Sequence, residues 1–240
     1  CNLHHLLKKM VLSHTYRQES KILPQALAKD PENLLLSRSP SYRMPAEMIR
    51  DGLLAQSHLL HRKVGGSGAK PYDLKVSFKP INPDGAPNVY RRSLYTFWKR
   101  TGPTPVMMAL DASKRDVCTV RRERTDSPAQ SLILLNGTQF VEAARAFADR
   151  LLLSQSTEDS MALVSDAFRQ LTSRPPSKRE SVILLRLLSE QVAHFSDPKE
   201  AEKFLKVGHY KAKSKDSVQL AAVTSLVSAL MNFDETLSKR

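Results

Sequence analysis

Between residues 127 and 231 the chain passes through a series of helix starts and stops, each followed by apolar residues three or four apart, and this pattern specifies packed helices. Ser127 caps and Pro128 opens a short helix through Leu135, which Asn136-Gly137 breaks. Phe140, Ala144, Phe147 and Leu151 form the apolar stripe of the next, and Met161, Val164, Phe168 and Leu171 that of a third, stopped by Ser173-Arg174-Pro175-Pro176. Ser177 with Glu180 is a capping box ahead of Leu184, Leu187, Leu188 and Phe195. Asp197-Pro198 with Glu200 is read as another, with Lys206 and Gly208 as its stop signals. A last helix starts near Asp216 or Ser217 and carries Leu220, Leu226, Val227, Leu230 and Met231.

The first half is less regular. Leu3, Leu6, Leu7, Met10 and Val11 predict an amphipathic opening helix over 2–15, and prolines at 24, 31 and 40 predict loop after it. A helix is expected over 45–61, with Met48, Ile49, Leu53, Leu59 and Leu60 on its apolar side. Glu47, Asp51, His58 and His61 then fall on the opposite face. Two carboxylates and two imidazoles in one stripe suit a metal or acid–base chemistry, but a face opposite the apolar side is also what a solvated helix surface looks like.

From 62 to 126 the pattern gives way to a loop-rich, basic middle. Gly65-Gly66-Ser67-Gly68 lacks the GK[ST] of a phosphate-binding loop and reads as flexible chain. The stretch 74–78 predicts a short strand, and 88–100, rich in aromatic residues, a strand or extended segment. The fold class expected is therefore mainly α, with one or two short strands in the middle. The organisation expected is one domain over 1–240, comprising 1–61, 62–126 and a C-terminal bundle over 127–240.

Net charge is +13, and the excess lies in residues 1–127, which hold 22 Lys and Arg against 11 Asp and Glu. Such a field favours anionic partners, and equally serves solubility alone. Nine basic residues lie between Arg91 and Arg124, around the single Trp. The candidate binding residues are Arg91, Arg92, Tyr95, Trp98, Lys99, Arg100, Arg121, Arg122 and Arg124, because Arg recognises sulfate or carboxylate bidentately and an aromatic ring can stack on a sugar or base. The competing reading makes Tyr95, Phe97 and Trp98 core residues and pairs the arginines with Asp111, Asp116, Glu123 and Asp126. Cys1 and Cys118 form neither a disulfide framework nor a CxxC, CxxCH or zinc spacing, so no metal, haem c or other cofactor is expected in this segment. Cys1 is read as a chain boundary rather than a lipidated end. No apolar run is long enough to span a bilayer, and 1–10 has no signal-peptide layout.

Eight segments carry a family resemblance: TYRQ (15–18), DPENLLLSR (30–38), AEMIRDGLLAQS (46–57), YRRSLYTFWKRT (90–101), RRERTDSPAQSLILLN (121–136), FVEAARAFADRLL (140–152), RPPSKRE (174–180) and LMNFDETL (230–237). In this order they resemble the C-terminal domain of unknown function of large secreted planctomycete proteins that often carry an N-terminal cytochrome-c-like domain. The resemblance implies export to the periplasm or cell surface, upstream domains of the same parent chain as partners, and haem only in such an upstream domain. It supplies no catalytic residues. The family commonly has Gly where this chain has His58, so the histidines of the polar stripe are particular to this chain.

Three functions follow as expectations. The first is an accessory or interaction domain whose basic-aromatic segment binds an anionic partner such as sulfated polysaccharide. The second is a hydrolase-type domain acting on polysaccharide, for which a carboxylate pair such as Glu47 and Asp51 is available but no GxSxG, HExxH or P-loop is present. The third is nucleic-acid binding, which the charge suits but no helix-turn-helix, RRM or zinc-finger pattern supports.

Overall fold

The computed structural model describes residues 2–99, 102–154 and 159–239. The protein is mainly α. The chain divides into two compact units, Cys1–Met44 with Ser238–Arg240, and Pro45–Leu237.

In the smaller unit, α1 (Leu3–Leu12) is capped by Asn2, whose side chain accepts from the His5 N–H. Its apolar stripe stays exposed. A short α2 (Pro24–Lys29) falls within the stretch expected to be loop. Strand β1 (Tyr42–Arg43) pairs antiparallel with β2 (Ser238–Lys239), which brings the last residues of the chain into this unit.

The larger unit starts with α3 (Ala46–Gln56), five residues shorter at its end than the expected 45–61. His58 takes a left-handed backbone, φ 62°, and His61 turns out to bridge Arg91, so the helix cannot continue. The buried side of α3 is Ala46, Ile49, Arg50, Leu53 and Leu54, whereas Met48 is exposed. The segments expected as strands form 3₁₀ turns instead, at Tyr72–Val76, Asn88–Tyr90 and Ser93–Tyr95. Extended pairing in the middle is limited, among the described residues, to bridges between His61 and Arg91 and between Ala69 and Thr96. Tertiary contacts override the strand preference of these residues: Tyr90 is tied to Glu142 of the later helix bundle, and Tyr95 and Trp98 are tied to neighbouring loops.

Helix α4 (Pro105–Ala109) precedes the bundle of α5 (Pro128–Asn136), α6 (Thr138–Ser154), α7 (Ser160–Thr172), α8 (Lys178–His194), α9 (Pro198–Leu205), α10 (Ser217–Met231) and α11 (Asp234–Leu237). The capping box of Ser177 and Glu180 forms as expected, and Asp216 caps α10 through the Gln219 N–H. Asp197 caps α9 through Lys199, one residue short of box geometry, and the Ser127 hydroxyl makes no capping bond, leaving Pro128 to start α5. Ser173 ends α7 in the left-handed conformation. Gly137 joins α5 to α6 without a break in packing: a Cβ there would lie 2.7 Å from the Ile133 carbonyl oxygen.

Helix α10 sits at the centre, against α5, α6, α7, α8 and α9. It is largely apolar around its circumference, as a mostly enclosed helix must be, and its alanines and serines let neighbours come close. Helix α6 is almost as buried, yet Glu142, Arg145 and Asp149 are among its buried residues. Burying charge is costly unless every charge meets a partner, so these three require an explanation that packing does not supply.

Candidate functional site

The basic-aromatic segment is positioned from below by α3. Arg50, 2% exposed, donates from Nε to Gln139 Oε1 at 2.7 Å, from Nη1 to the Arg91 carbonyl at 2.9 Å, and from Nη2 to the Val89 carbonyl at 3.0 Å. Its neighbour Asp51 accepts the Ser93 N–H at 2.8 Å and the Ser93 hydroxyl at 2.7 Å. Together these bonds fix residues 89–93 without any strand, because side chains of α3 provide the partners that a sheet would have supplied. Burial holds the Arg50 guanidinium below its usual range, against the opposing pull of Asp51.

Arg91 is itself buried. Its guanidinium donates to the carbonyls of Ser67 at 2.6 Å and Gly65 at 2.5 Å, and lies 4.0 Å from the centre of the Tyr95 ring. The Tyr95 hydroxyl accepts the Gly65 N–H at 3.0 Å. Arg91 and Tyr95 thus order the glycine loop 65–68. Arg92 is half-buried, 5.8 Å from the same ring, and Lys99 is half-buried beyond it. Arg100 lies outside the described residues.

Arg121, Arg122 and Arg124 lie on a loop, 112–124, whose neck is closed by Asp111 and against which Trp98 packs. One oxygen of Asp111 accepts the Thr125 N–H and hydroxyl, each at 2.7 Å, and the Gln130 amide at 3.1 Å. Trp98, half-buried, donates from its indole N–H to the Lys114 carbonyl at 2.7 Å, and the Arg115 guanidinium covers its ring at 4.7 Å. Arg121, Arg122 and Arg124 are exposed and line an open hollow of about 690 Å³, and Arg121 and Arg122 also face a second of about 340 Å³. Arg122 donates to Glu47 at 2.9 Å, an exposed pair of small energetic weight.

The polar stripe is therefore divided. Glu47 pairs with Arg122, Asp51 holds Ser93, and the two histidines lie beyond the end of α3. Among the described residues no group of three or more His, Cys, Asp or Glu is placed to hold a metal ion. Cys118 is an exposed free thiol, and Cys1 lies outside the described residues.

Sequence reasoning missed a second polar system. Glu142 of α6 is fully buried and accepts the Tyr90 hydroxyl at 2.7 Å and the backbone N–H groups of His209 at 2.5 Å and Tyr210 at 2.6 Å. Two turns on, Asp149 accepts the Tyr210 hydroxyl at 2.7 Å and the N–H groups of Lys213 and Ser214 at 2.9 and 2.8 Å. Between them Arg145 donates to the carbonyls of Leu205 and Tyr210. The three charges thus replace the hydrogen-bond partners that the irregular stretch 205–214 lacks. Burial, and then Asp149, push the Tyr210 phenol up to about 12; burial and Glu142 likewise raise Tyr72 and Tyr90. The i, i+3, i+7 spacing of charge on one helix face was the available signal. Asp73, in a cleft of about 280 Å³ with Tyr72 and Asn136, is raised by burial, opposed by the Val106 N–H at 3.0 Å.

Fold and site together define a mainly helical protein with a basic, loop-borne surface held by buried side-chain clamps. The family described as "Protein of unknown function (DUF1553)", PSD1, matches residues 1–188, and the chain belongs to it. No curated protein and no solved structure matches.

Proposed function

We propose that this is an interaction domain that holds an anionic polysaccharide, sulfated or carboxylated, on loop 112–124. The observation that carries the reading is the closed neck. A loop tied at Asp111 and Thr125 presents Lys114, Arg115, Arg121, Arg122 and Arg124, with Asp116 and Glu123 as the loop's own carboxylates and Glu47 of α3 paired to Arg122. Tying the ends lowers the entropy lost when the basic side chains engage a ligand, and arginines bind sulfate and carboxylate in bidentate geometry. Of the nine residues singled out in the sequence, Arg121, Arg122 and Arg124 contact the ligand in this account, and Arg91 and Tyr95 are structural. Arg115 joins the binding set.

The family resemblance supports a wider setting: an exported parent chain of planctomycete type, with upstream domains, a cytochrome-c-like one among them, as intramolecular partners. A hydrolase-type reading rests on Asp73, a carboxyl raised by burial in a cleft, but the residues lining that cleft include no second carboxylate to complete a glycosidase pair. Binding of the purified domain to sulfated polysaccharide, neutral polysaccharide and DNA at low and moderate salt tests the proposal. Saturable binding to the sulfated polymer above that to DNA supports it, and equal binding to any polyanion argues against it.

A further inference from the structure

A second basic surface lies away from loop 112–124, where the end of α3, the outer side of α6 and the segment 210–213 enclose an open hollow of about 380 Å³. That volume is within the roughly 300–1,000 Å³ usual for small-ligand sites. The lining holds His58, Arg150 and Lys213 and no carboxylate. We infer that this hollow binds the tetrahedral oxyanion of a small sulfate or phosphate ester, with Arg150, Lys213 and His58 as the donors.

The hydrogen-bond inventory selects these three. Ser57 and Ser154 also line the hollow, but their hydroxyls donate to the Leu54 and Leu151 carbonyls, and the Tyr210 hydroxyl donates to Asp149. Arg150 uses Nη2 for the Gln56 carbonyl at 3.0 Å and Gln170 Oε1 at 2.8 Å, while its Nε–H is buried with no partner among the described residues. A guanidinium partly desolvated by burial gains more from an arriving anion than a fully hydrated one does. The nearby carboxylates are engaged: Asp149 holds Tyr210, Lys213 and Ser214 from beneath, and Asp166, whose charge acts on Arg150, accepts from Gln170 at 2.9 Å.

Two further observations point to positioning rather than chance. Lys213 is anchored through its own N–H to Asp149 at 2.9 Å, so the base of an exposed side chain is fixed at the rim. His58 adopts φ 62°, a conformation that costs most residues about 1–2 kcal/mol, at the point where the chain enters the hollow. The rest of the ligand would lie against Leu59, Ala146 and Leu153, an apolar wall suited to a sugar face.

The test uses inorganic sulfate and phosphate, then a monosaccharide sulfate and a monosaccharide phosphate, titrated calorimetrically at constant ionic strength. Lys213→Ala removes only the side chain beyond the anchored backbone, and His58→Asn keeps a residue that tolerates positive φ. Each is expected to weaken binding about three- to tenfold, as loss of one charge-assisted hydrogen bond does. Lys211→Ala, exposed on the same segment but outside the hollow, is the control and should change nothing. Arg150→Gln should abolish binding, and circular dichroism reports whether it remains folded. Preference for one ester over the other identifies the source of the anion. Equal loss in the Lys211 and Lys213 variants, or no saturation by any of the four probes, overturns the assignment.

Discussion

Asp111 takes both the N–H and the hydroxyl of Thr125 on a single carboxylate oxygen, at 2.7 Å each, and this pair closes loop 112–124. Asp111 also sits at φ 63°, which Asp tolerates better than most residues. Asp111→Ala loses the acceptor and strains the backbone, at a cost of about 1–2 kcal/mol given the exposure of the bonds. Limited proteolysis should show faster cleavage within 112–124, with helicity by circular dichroism unchanged.

Arg50 is expected to matter more to stability than any arginine on the loop. Arg50→Ala strips donors from Gln139 and from the carbonyls of Val89 and Arg91 in a buried setting, a loss of about 3–5 kcal/mol. Arg50→Lys should recover little, because an ammonium cannot span donors in three directions. Urea denaturation measures both, and an Arg50→Ala protein within about 1 kcal/mol of the parent would contradict the clamp.

Gly208 is predicted to be intolerant of any side chain. At φ 70° it is left-handed, and an added Cβ would stand 2.2 Å from the Glu142 carboxyl carbon. Gly208→Ala should cost about 2–4 kcal/mol through strain and displacement of the carboxylate from the His209 and Tyr210 N–H groups. Amide hydrogen exchange at His209 and Tyr210 gives a local readout.

The contrast between these residues shows what the sequence carries. The bundle was readable from Ser177 with Glu180, from Asp216 and from apolar stripes such as Phe140 to Leu151, because caps and periodicity are local. Strands were expected in the middle from the preferences of residues such as Tyr90, but Tyr90 is held by Glu142, and Arg91 and Ser93 by Arg50 and Asp51, partners 40 or more residues away. Arg91 looked like a ligand-binding residue for the same reason: its type was visible, but its carbonyl partners at 65 and 67 depend on the turn that brings them round. Arg121 and Arg124 were correctly read as loop residues, because the irregular composition around them has no periodicity for a helix to use.

A pH dependence follows from Arg174, which bridges Glu180 and Glu235 at 2.7 Å each. Its hydrogen bonds hold the Glu180 carboxyl down to about 2 from an ordinary 4.5. The folded pKa is depressed, so the stabilisation is fully present above pH 4.5 and is lost as pH falls toward 2. With side chains 38% and 26% exposed, solvent screening limits it to about 1 kcal/mol. Glu180→Gln should therefore be less stable than the parent at neutral pH and approach it in stability near pH 2, as read from urea midpoints.

Binding of an anionic polysaccharide by loop 112–124 is tested by the salt dependence of binding to a sulfated polysaccharide by the parent and by an Arg115→Gln, Arg121→Gln, Arg124→Gln variant. The parent should bind saturably, with affinity falling as salt rises, and the variant, whose helices remain intact, should bind at least tenfold more weakly with a shallower salt slope. Equal affinity and slope for the two proteins would contradict it, and would place any polyanion binding elsewhere on the molecule.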